Sequence, residues 1–486
     1  MTTMETTPRR AAIIGGGITG LSAAYYLKKQ MEADGVPYQI TIYEKSDSFG
    51  GKIKTLHRDG FVIERGPDSF LARKPAIVEL ARELGLEDCL TGTNPNAKKT
   101  YILSGGKLHR MPPGLMLGIP TQLGPFMRTG LLSAKGKARA ALDLVLPKRT
   151  SPEDESLGSF LERRLGREVL SQIAEPLLAG IYAGDTYALS LKGTFPQFHS
   201  IEQKHRSLIL GMMKNRKEGG EESRTLPEAA KNTTFLTFKD GLETIVHGLI
   251  DALDNVRFVK GCGISSVTPS REGYRLVRED GEADETDGVI VTLPAYAMAG
   301  VLEDAASEAA AELRAIEHVS VANVVLAFDE SDLKEKLDGS GFVVSRGEER
   351  FITACTWTSV KWLHTAPHGK VLLRCYVGRS GDDRWMHMTE DEVIRAVRKD
   401  LKETMGLSAE PLFTEMTPLM RSMPQYPVGH LERIKRVRAE LASGLPGVLA
   451  TGAAFYGVGL PDCIRQGKET GLELAKKLKA SSTSGG

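Results

Sequence analysis

The 486-residue chain is poor in cysteine, has no excess charge of either sign and holds no unbroken apolar run of membrane-spanning length. Its five cysteines (Cys89, Cys262, Cys355, Cys375, Cys463) are scattered and lack CxxC spacing. They do not make a disulfide framework and suit a reducing compartment, so a cytoplasmic location is expected. Lys and Arg number 63 against 62 Asp and Glu, and the net charge of +1 gives no footing to nucleic-acid binding. Met1–Arg10 is polar and lacks the apolar core of a signal peptide. Asn232-Thr233-Thr234 therefore reads as a chance sequon.

The most apolar uncharged stretch, MPPGLMLGIPTQLGPFM (111–127), is broken by Pro112, Pro113, Pro120 and Pro125 at intervals too short for a spanning helix. Two readings stay open for it: a loop packed under the protein's own surface, or the wall of a cleft for a large, flat ligand.

At this length two or three domains are expected. AAIIGGGITGLSAAYYLKK (11–29) reads as strand, glycine turn and helix, and YQITIYEK (38–45) as a second strand, completing a βαβ unit. PAIVELARELGL (75–86) is helical, with Gly85 as its stop. Residues 133–190 read mostly as helices, and GMMKNRKEGGEESR (211–224) as an exposed loop. A second α/β region starts near Phe235 and includes the buried strand DGVIVTLP (287–294). A third closes the chain, ending in a polar SSTSGG expected to fray. The pattern describes one nucleotide domain built from three separated segments.

Gly15-x-Gly17-x-x-Gly20 has GxGxxG spacing. The first glycine permits the tight turn and the second lets the backbone approach a pyrophosphate. The third lets helix pack on strand, with the helix N-terminus facing the phosphate charge. Glycine turns are common, and the flanking strand and helix give this one its weight. So does Glu44, which ends the second strand where an acid binds ribose hydroxyls. The segments C-terminal to Glu44 favour FAD over NAD. Gly50-Gly51-Lys52 and then Glu64-Arg65-Gly66-Pro67-Asp68-Ser69 would bring backbone close to the pyrophosphate and isoalloxazine of an extended cofactor. In TGAAFYGVGLPDCIRQG (451–467) a helix opens at Val458–Pro461, and its N-terminus can stabilise charge on a reduced flavin. Cys463 there is either a stabilised thiolate or a buried inert thiol. His364 and His368 have i,i+4 spacing, but Pro367 between them argues against a metal-ligating helix.

Further motifs are VIERGPDSFLARK (62–74), EPLLAGIYAGD (175–185), TFPQFHSIEQKHRSLILGM (194–212), ITACTWTSVKW (352–362), SMPQYPVGH (422–430) and GVGLPDCI (457–464). By these, spread over nearly its whole length, the chain resembles the flavin-containing porphyrinogen oxidases of the amine-oxidase-like superfamily. It resembles most the soluble bacterial branch acting on coproporphyrinogen III. The resemblance implies an α/β fold: a discontinuous, Rossmann-like FAD-binding domain (1–75, 239–293, 438–486), an α+β substrate-binding domain (76–109, 216–238, 294–437) and an inserted α-helical domain (110–215). It implies FAD contacts from Gly15, Gly16, Gly17, Ile18, Thr19, Gly20, Glu44, Lys45, Gly51, Lys52, Gly66, Pro67, Asp68 and Ser69. Ile264 is placed at the adenine end, and Val458, Gly459 and Leu460 near the flavin ring. Leu419 stands where some members carry a tryptophan, and Met116 or Leu117 where membrane-type relatives carry an arginine, so those two contacts are not carried over.

The implied reaction oxidises coproporphyrinogen III to coproporphyrin III, a late step of heme biosynthesis, with O2 as acceptor and H2O2 released. No catalytic side chain and no metal is required of the protein. A substrate with four propionates needs cations at the rim of an apolar slot. Lys74 is the first candidate and Arg73 the second, each also readable as a solvated surface charge. Tyr182 is a candidate pocket wall or an ordinary core residue. Two alternatives remain open: oxidation of protoporphyrinogen IX, and a non-catalytic FAD-bound partner of the terminal heme enzymes. Transient contact with ferrochelatase and peripheral membrane association also stay open, with no transmembrane segment.

Overall fold

The computed structural model describes residues 7–218 and 233–483. Its N-terminal strand β1 (Arg9–Ile14) is buried along its last four residues, as a central parallel strand must be. β1 feeds helix α1 (Ile18–Ala33), and β2 (Tyr38–Glu44) returns parallel to β1. The sheet has five parallel strands in the order Arg257–Lys260, β2, β1, Gly288–Val291 and Val448–Ala450. Three distant stretches of chain thus contribute to one sheet. The long C-terminal helix, Leu460–Thr483, lies on α1, and two glycines set how closely. A Cβ on Gly467 would sit 2.5 Å from the Thr19 carbonyl oxygen, and one on Gly471 2.4 Å from that of Ala23.

A second sheet has seven strands, in the order Phe413–Pro424, His318–Asp329, Lys370–Val377, Ile352–Trp357, Gly339–Val344, Lys99–Ser104 and Lys107–Arg110. Pairing is antiparallel except between Gly339–Val344 and Lys99–Ser104. One face buries an apolar core that includes Leu326, Phe328, Leu373 and Trp385. On the opposite face Ile102 and Val343 join the core of a helical region, with Ile173, Leu178 and Tyr182.

Residues 111–127 form a short two-stranded hairpin, Leu115–Met116 with Ile119–Pro120, and the helix Leu123–Arg128. Ile119 and Phe126 pack into the helical core, whereas Leu123 and Met127 are exposed. No described helix is long and apolar enough to cross a membrane.

The reading of 211–224 as a loop is corrected over its first half. A helix runs Leu208–Glu218, because its apolar residues Leu208, Ile209 and Met212 are buried in the helical core despite the charged tail. Residues 219–224 lie outside the described range, as does Asn232. The C-terminal helix continues through Ser481–Thr483, so the polar end begins to depart from helix no earlier than that. Gly85 ends the helix Pro75–Glu83 as expected, with φ of +72°.

Candidate functional site

The glycine turn has the geometry its spacing implies. Gly15 takes φ of +108°, which favours glycine. A Cβ on Gly20 would lie 1.9 Å from the Gly15 carbonyl oxygen, so only glycine lets the helix start this close to the strand. Gly17 precedes α1, no side chain caps the helix there, and no acid occupies the first turn. A Cβ on Gly17 would meet only the Cα of Gly51, at 4.0 Å. The backbone is therefore bare on the side where an anionic ligand would meet the first α1 amides.

Gly51 is brought there by its own segment. Gly50 bridges to Gly17, and its N–H donates to the Gly16 carbonyl over 2.9 Å. Gly66 then packs on Lys52 so tightly that a Cβ would fall 1.7 Å from the Lys52 carbonyl oxygen. The Arg65 N–H donates to the Lys54 carbonyl at 2.8 Å. Residues 50–52 and 64–69 thus form one continuous edge leading away from α1.

Glu44 closes the other end. Its carboxylate accepts from Gly16 N–H at 2.8 Å and from the Ser46 N–H and Oγ, both at 2.8 Å. These bonds fix the carboxylate and leave lone pairs for hydroxyl donors. Lys45 points out and pairs with Glu279 at 2.7 Å. Ile264 is buried in the core beside Tyr43, two residues past Cys262, whose N–H donates to the Glu44 carbonyl.

The start of the C-terminal helix meets this edge from the far side. Cys463 is buried with its Sγ against the carbonyls of Gly457 and Val458, and burial pushes its thiol up to about 11. It is the inert form of the two considered. The Lys52 Nζ donates to the Ser422 carbonyl. Lys52 opens onto solvent in the groove yet is crowded by protein on its other sides, and that desolvation pulls its ammonium below the usual range. Asp462, in the first helical turn, lies 2.5 Å from the Lys74 Nζ. Tyr182 is buried between Phe195 and Tyr426, and the Tyr426 hydroxyl accepts from the Gly457 N–H at 2.9 Å.

The seven-stranded sheet holds this edge with residues the sequence reading did not single out. Arg374, in mid-strand and only 3% exposed, donates from Nη1 to the Glu64 carbonyl at 2.8 Å and from Nη2 to that of Gly66. Asn323 on the neighbouring strand donates to the carbonyls of Arg65 and Gly66 at 3.2 and 3.4 Å. Burial drives the Asp68 carboxyl up, but Lys361, 3.9 Å away, and Arg374 hold it below its ordinary range. Burial raises Glu64 to about 7, although Leu242 N–H and Thr55 Oγ donate to it. Asp68 Oδ2 and Ser422 Oγ are buried without a hydrogen-bond partner.

A bare glycine cradle, a fixed carboxylate at one end, unpartnered polar atoms and a second helix N-terminus at the other fit a dinucleotide-sized flavin. The chain belongs to the flavin-containing amine oxidoreductase family, whose model matches residues 18–470. Membership implies a flavin cofactor. The coproporphyrinogen III oxidase of Bacillus subtilis is 47% identical over 460 residues, covering 95% of this chain and 96% of that protein. The coproporphyrinogen III oxidase of Staphylococcus aureus is 41% identical, covering 97% and 100%. A solved structure from Exiguobacterium sp. 255-15, provisionally named a protoporphyrinogen oxidase, superposes with a TM-score of 0.85 at 36% identity, covering 97% of this chain and 100% of that one. Cyclohexylamine oxidase from Brevibacterium oxydans shares the fold at 18% identity, with a TM-score of 0.67 over 97% of this chain and 100% of that one.

Proposed function

We propose that the chain is an FAD-dependent oxidase of coproporphyrinogen III, forming coproporphyrin III. The observation that carries this reading is an apolar core that reaches the start of the C-terminal helix. Ile102 and Val343 of the sheet pack with Leu178, Tyr182 and Val458, and the partly exposed rim of that core would suit a flat, reduced macrocycle. FAD, when bound, would supply the two-electron acceptor that each of three successive oxidations of the macrocycle needs, with O2 as the terminal acceptor of the electrons and protons, as H2O2. The chain's own part is to bind, orient and exclude water.

In this reading the α1 amides and Gly15–Gly20 face the pyrophosphate, Glu44 the ribose, and Ile264 the adenine end. Lys45, Gly51, Lys52 and Gly66–Ser69 continue the cofactor contact, and Val458–Leu460 underlie the ring. Lys74 serves a propionate at the rim while keeping Asp462, since an ammonium has three donors. Tyr182 contributes to the pocket wall. The domain division at 1–75, 239–293 and 438–486 belongs to the same proposal, with the substrate-binding and helical domains inserted between. So do a cytoplasmic location and transient contact with ferrochelatase. The test is steady-state kinetics of the purified yellow protein on coproporphyrinogen III and protoporphyrinogen IX, following porphyrin fluorescence and peroxide. Faster turnover of the first supports the proposal. Preference for the second reassigns the substrate, and no turnover of either leaves a flavin-bound partner protein instead.

A further inference from the structure

The strands Gly339–Val344 and Lys370–Val377 flank the antiparallel strand Ile352–Trp357, so both end at the same edge of the sheet. Just past each end stands an arginine, Arg346 and Arg379. Together they line an open pocket of about 450 Å3 with Ser380, Gly381 and Asp382. The pocket lies against the helical wall of the cleft: Ser380 N–H donates to the Ala183 carbonyl at 2.7 Å, next to Tyr182. Arg346 Nη1 lies 2.8 Å from Glu175 and 3.7 Å from Asp185.

The carboxylates around the pocket are already matched. Glu175 has Arg346, and Asp382 accepts two bonds from Arg384, both 2.8 Å. Asp185 accepts from the Tyr187 N–H at 2.9 Å, and exposed Asp383 lies 4.0 Å from His387. Arg379 is left over. Its guanidinium is half-buried and has no hydrogen-bond or ion-pair partner among the described residues. Burial, and then the like charge of Arg346, disfavour its charged form; Asp382 and Glu175 offset part of this from a distance, although each is already bonded to another arginine. An unpaired cation held beside another is costly unless an anion joins them.

Position gives the anion its identity. On the strand that leads to Arg379, Arg374 touches the Gly66 carbonyl. The strand ends at Val377 and the chain turns at Gly378, with φ of +89°, so five residues place Arg379 at most about 17 Å from Arg374, within the reach of a tetrapyrrole with a propionate arm. We propose that Arg379, with Arg346 beside it, is a carboxylate subsite at the outer end of the cleft, taking a propionate of the macrocycle seated against the Gly66–Ser69 loop. This rests on the porphyrinogen reading above.

The test is equilibrium binding of coproporphyrin III, the air-stable tetracarboxylate, to the FAD-loaded protein, followed by porphyrin fluorescence. Arg379→Gln should weaken binding about ten- to a hundredfold, the loss of one charge-assisted contact, with normal flavin content. Arg379→Lys should recover part of the loss, because an ammonium keeps the charge without the fork. Wild-type affinity in Arg379→Gln overturns the subsite and leaves the functional reading standing. Should Arg379→Gln lose its flavin, Arg379→Lys decides: a severalfold loss of affinity supports the subsite and unchanged affinity overturns it. A wild-type protein that neither binds coproporphyrin III nor oxidises coproporphyrinogen III overturns the functional reading, and the subsite with it.

Discussion

Replacing Arg374 by methionine keeps most of its volume and removes its charge. The two carbonyls it serves, on Glu64 and Gly66, are held from within the sheet, and the second keeps only a 3.4 Å contact from Asn323. Hydrogen bonds to a charged donor contribute about 1.5–3 kcal/mol each, and Asp68 also loses a neighbouring cation. With Asn323 offsetting part of the loss, a total of about 3–5 kcal/mol results. Some of it falls on folding and some on the ordering of residues 64–69 around the cofactor. If half is expressed in flavin binding, the FAD Kd rises roughly ten- to seventyfold. The assay is fluorescence titration of the apoprotein with FAD, alongside thermal melting with and without the cofactor. Arg374→Lys should fall between, since an ammonium cannot reach both carbonyls in the same geometry. An Arg374→Met protein that binds FAD as tightly as wild type would refute the claim that the sheet positions the loop.

Glu44→Ala should weaken FAD about ten- to a hundredfold in the same titration, through loss of charge-assisted contacts to ribose hydroxyls, while the fold persists. Glu64 carries a pH signature. Its folded pKa of about 7 is raised above the unfolded value, so the protonated form stabilises the fold below pH 4.5 and that contribution is lost as pH rises through 7. The loss is up to about 3 kcal/mol, and Glu64→Gln should therefore raise the melting temperature at pH 8 more than at pH 5; an equal shift at both would argue against it. Lys74→Ala should lower kcat/KM for coproporphyrinogen III more than for protoporphyrinogen IX with normal FAD content, since the helix N-terminus still stabilises Asp462. Equal losses on both substrates would instead assign Lys74 to the support of Asp462.

The geometry of the glycine turn was legible because its physics is local. Three glycines at fixed spacing, a strand before and a helix after lie within 25 residues; Gly15 and Gly20 have steric roles, and Gly17 leaves the backbone bare. The seven-stranded sheet was not legible. One of its two longest strands, HVSVANVVLAFD, mixes polar and apolar residues because its faces meet different surroundings, one the sheet's own core and the other the 64–69 loop. A signal for Arg374 was present nonetheless. A lone arginine inside KVLLRCYV is a charge in a buried strand, which needs partners brought from elsewhere. Arg346 and Arg379 had no such signal, because only the strand order sets them side by side. The charged tail of 211–224 misled in the opposite direction, outweighing the buried apolar start of its helix.

The loop at residues 64–69 is held twice, and each hold uses backbone. From the nucleotide side it packs on the Lys52 carbonyl and pairs with Lys54; from the sheet it is gripped at the carbonyls of Glu64, Arg65 and Gly66. Side chains facing the cleft take no part in either grip. Residues such as Val343 and Arg379 can therefore change without moving the 64–69 edge, and on the proposed function the substrate is selected there. Arg374 and Asn323 are the exceptions, since their side chains read backbone and not ligand. Arg374 within the strand and Arg379 just past its end should accordingly separate by assay: Arg374 through flavin affinity, Arg379 through porphyrin affinity at unchanged flavin content.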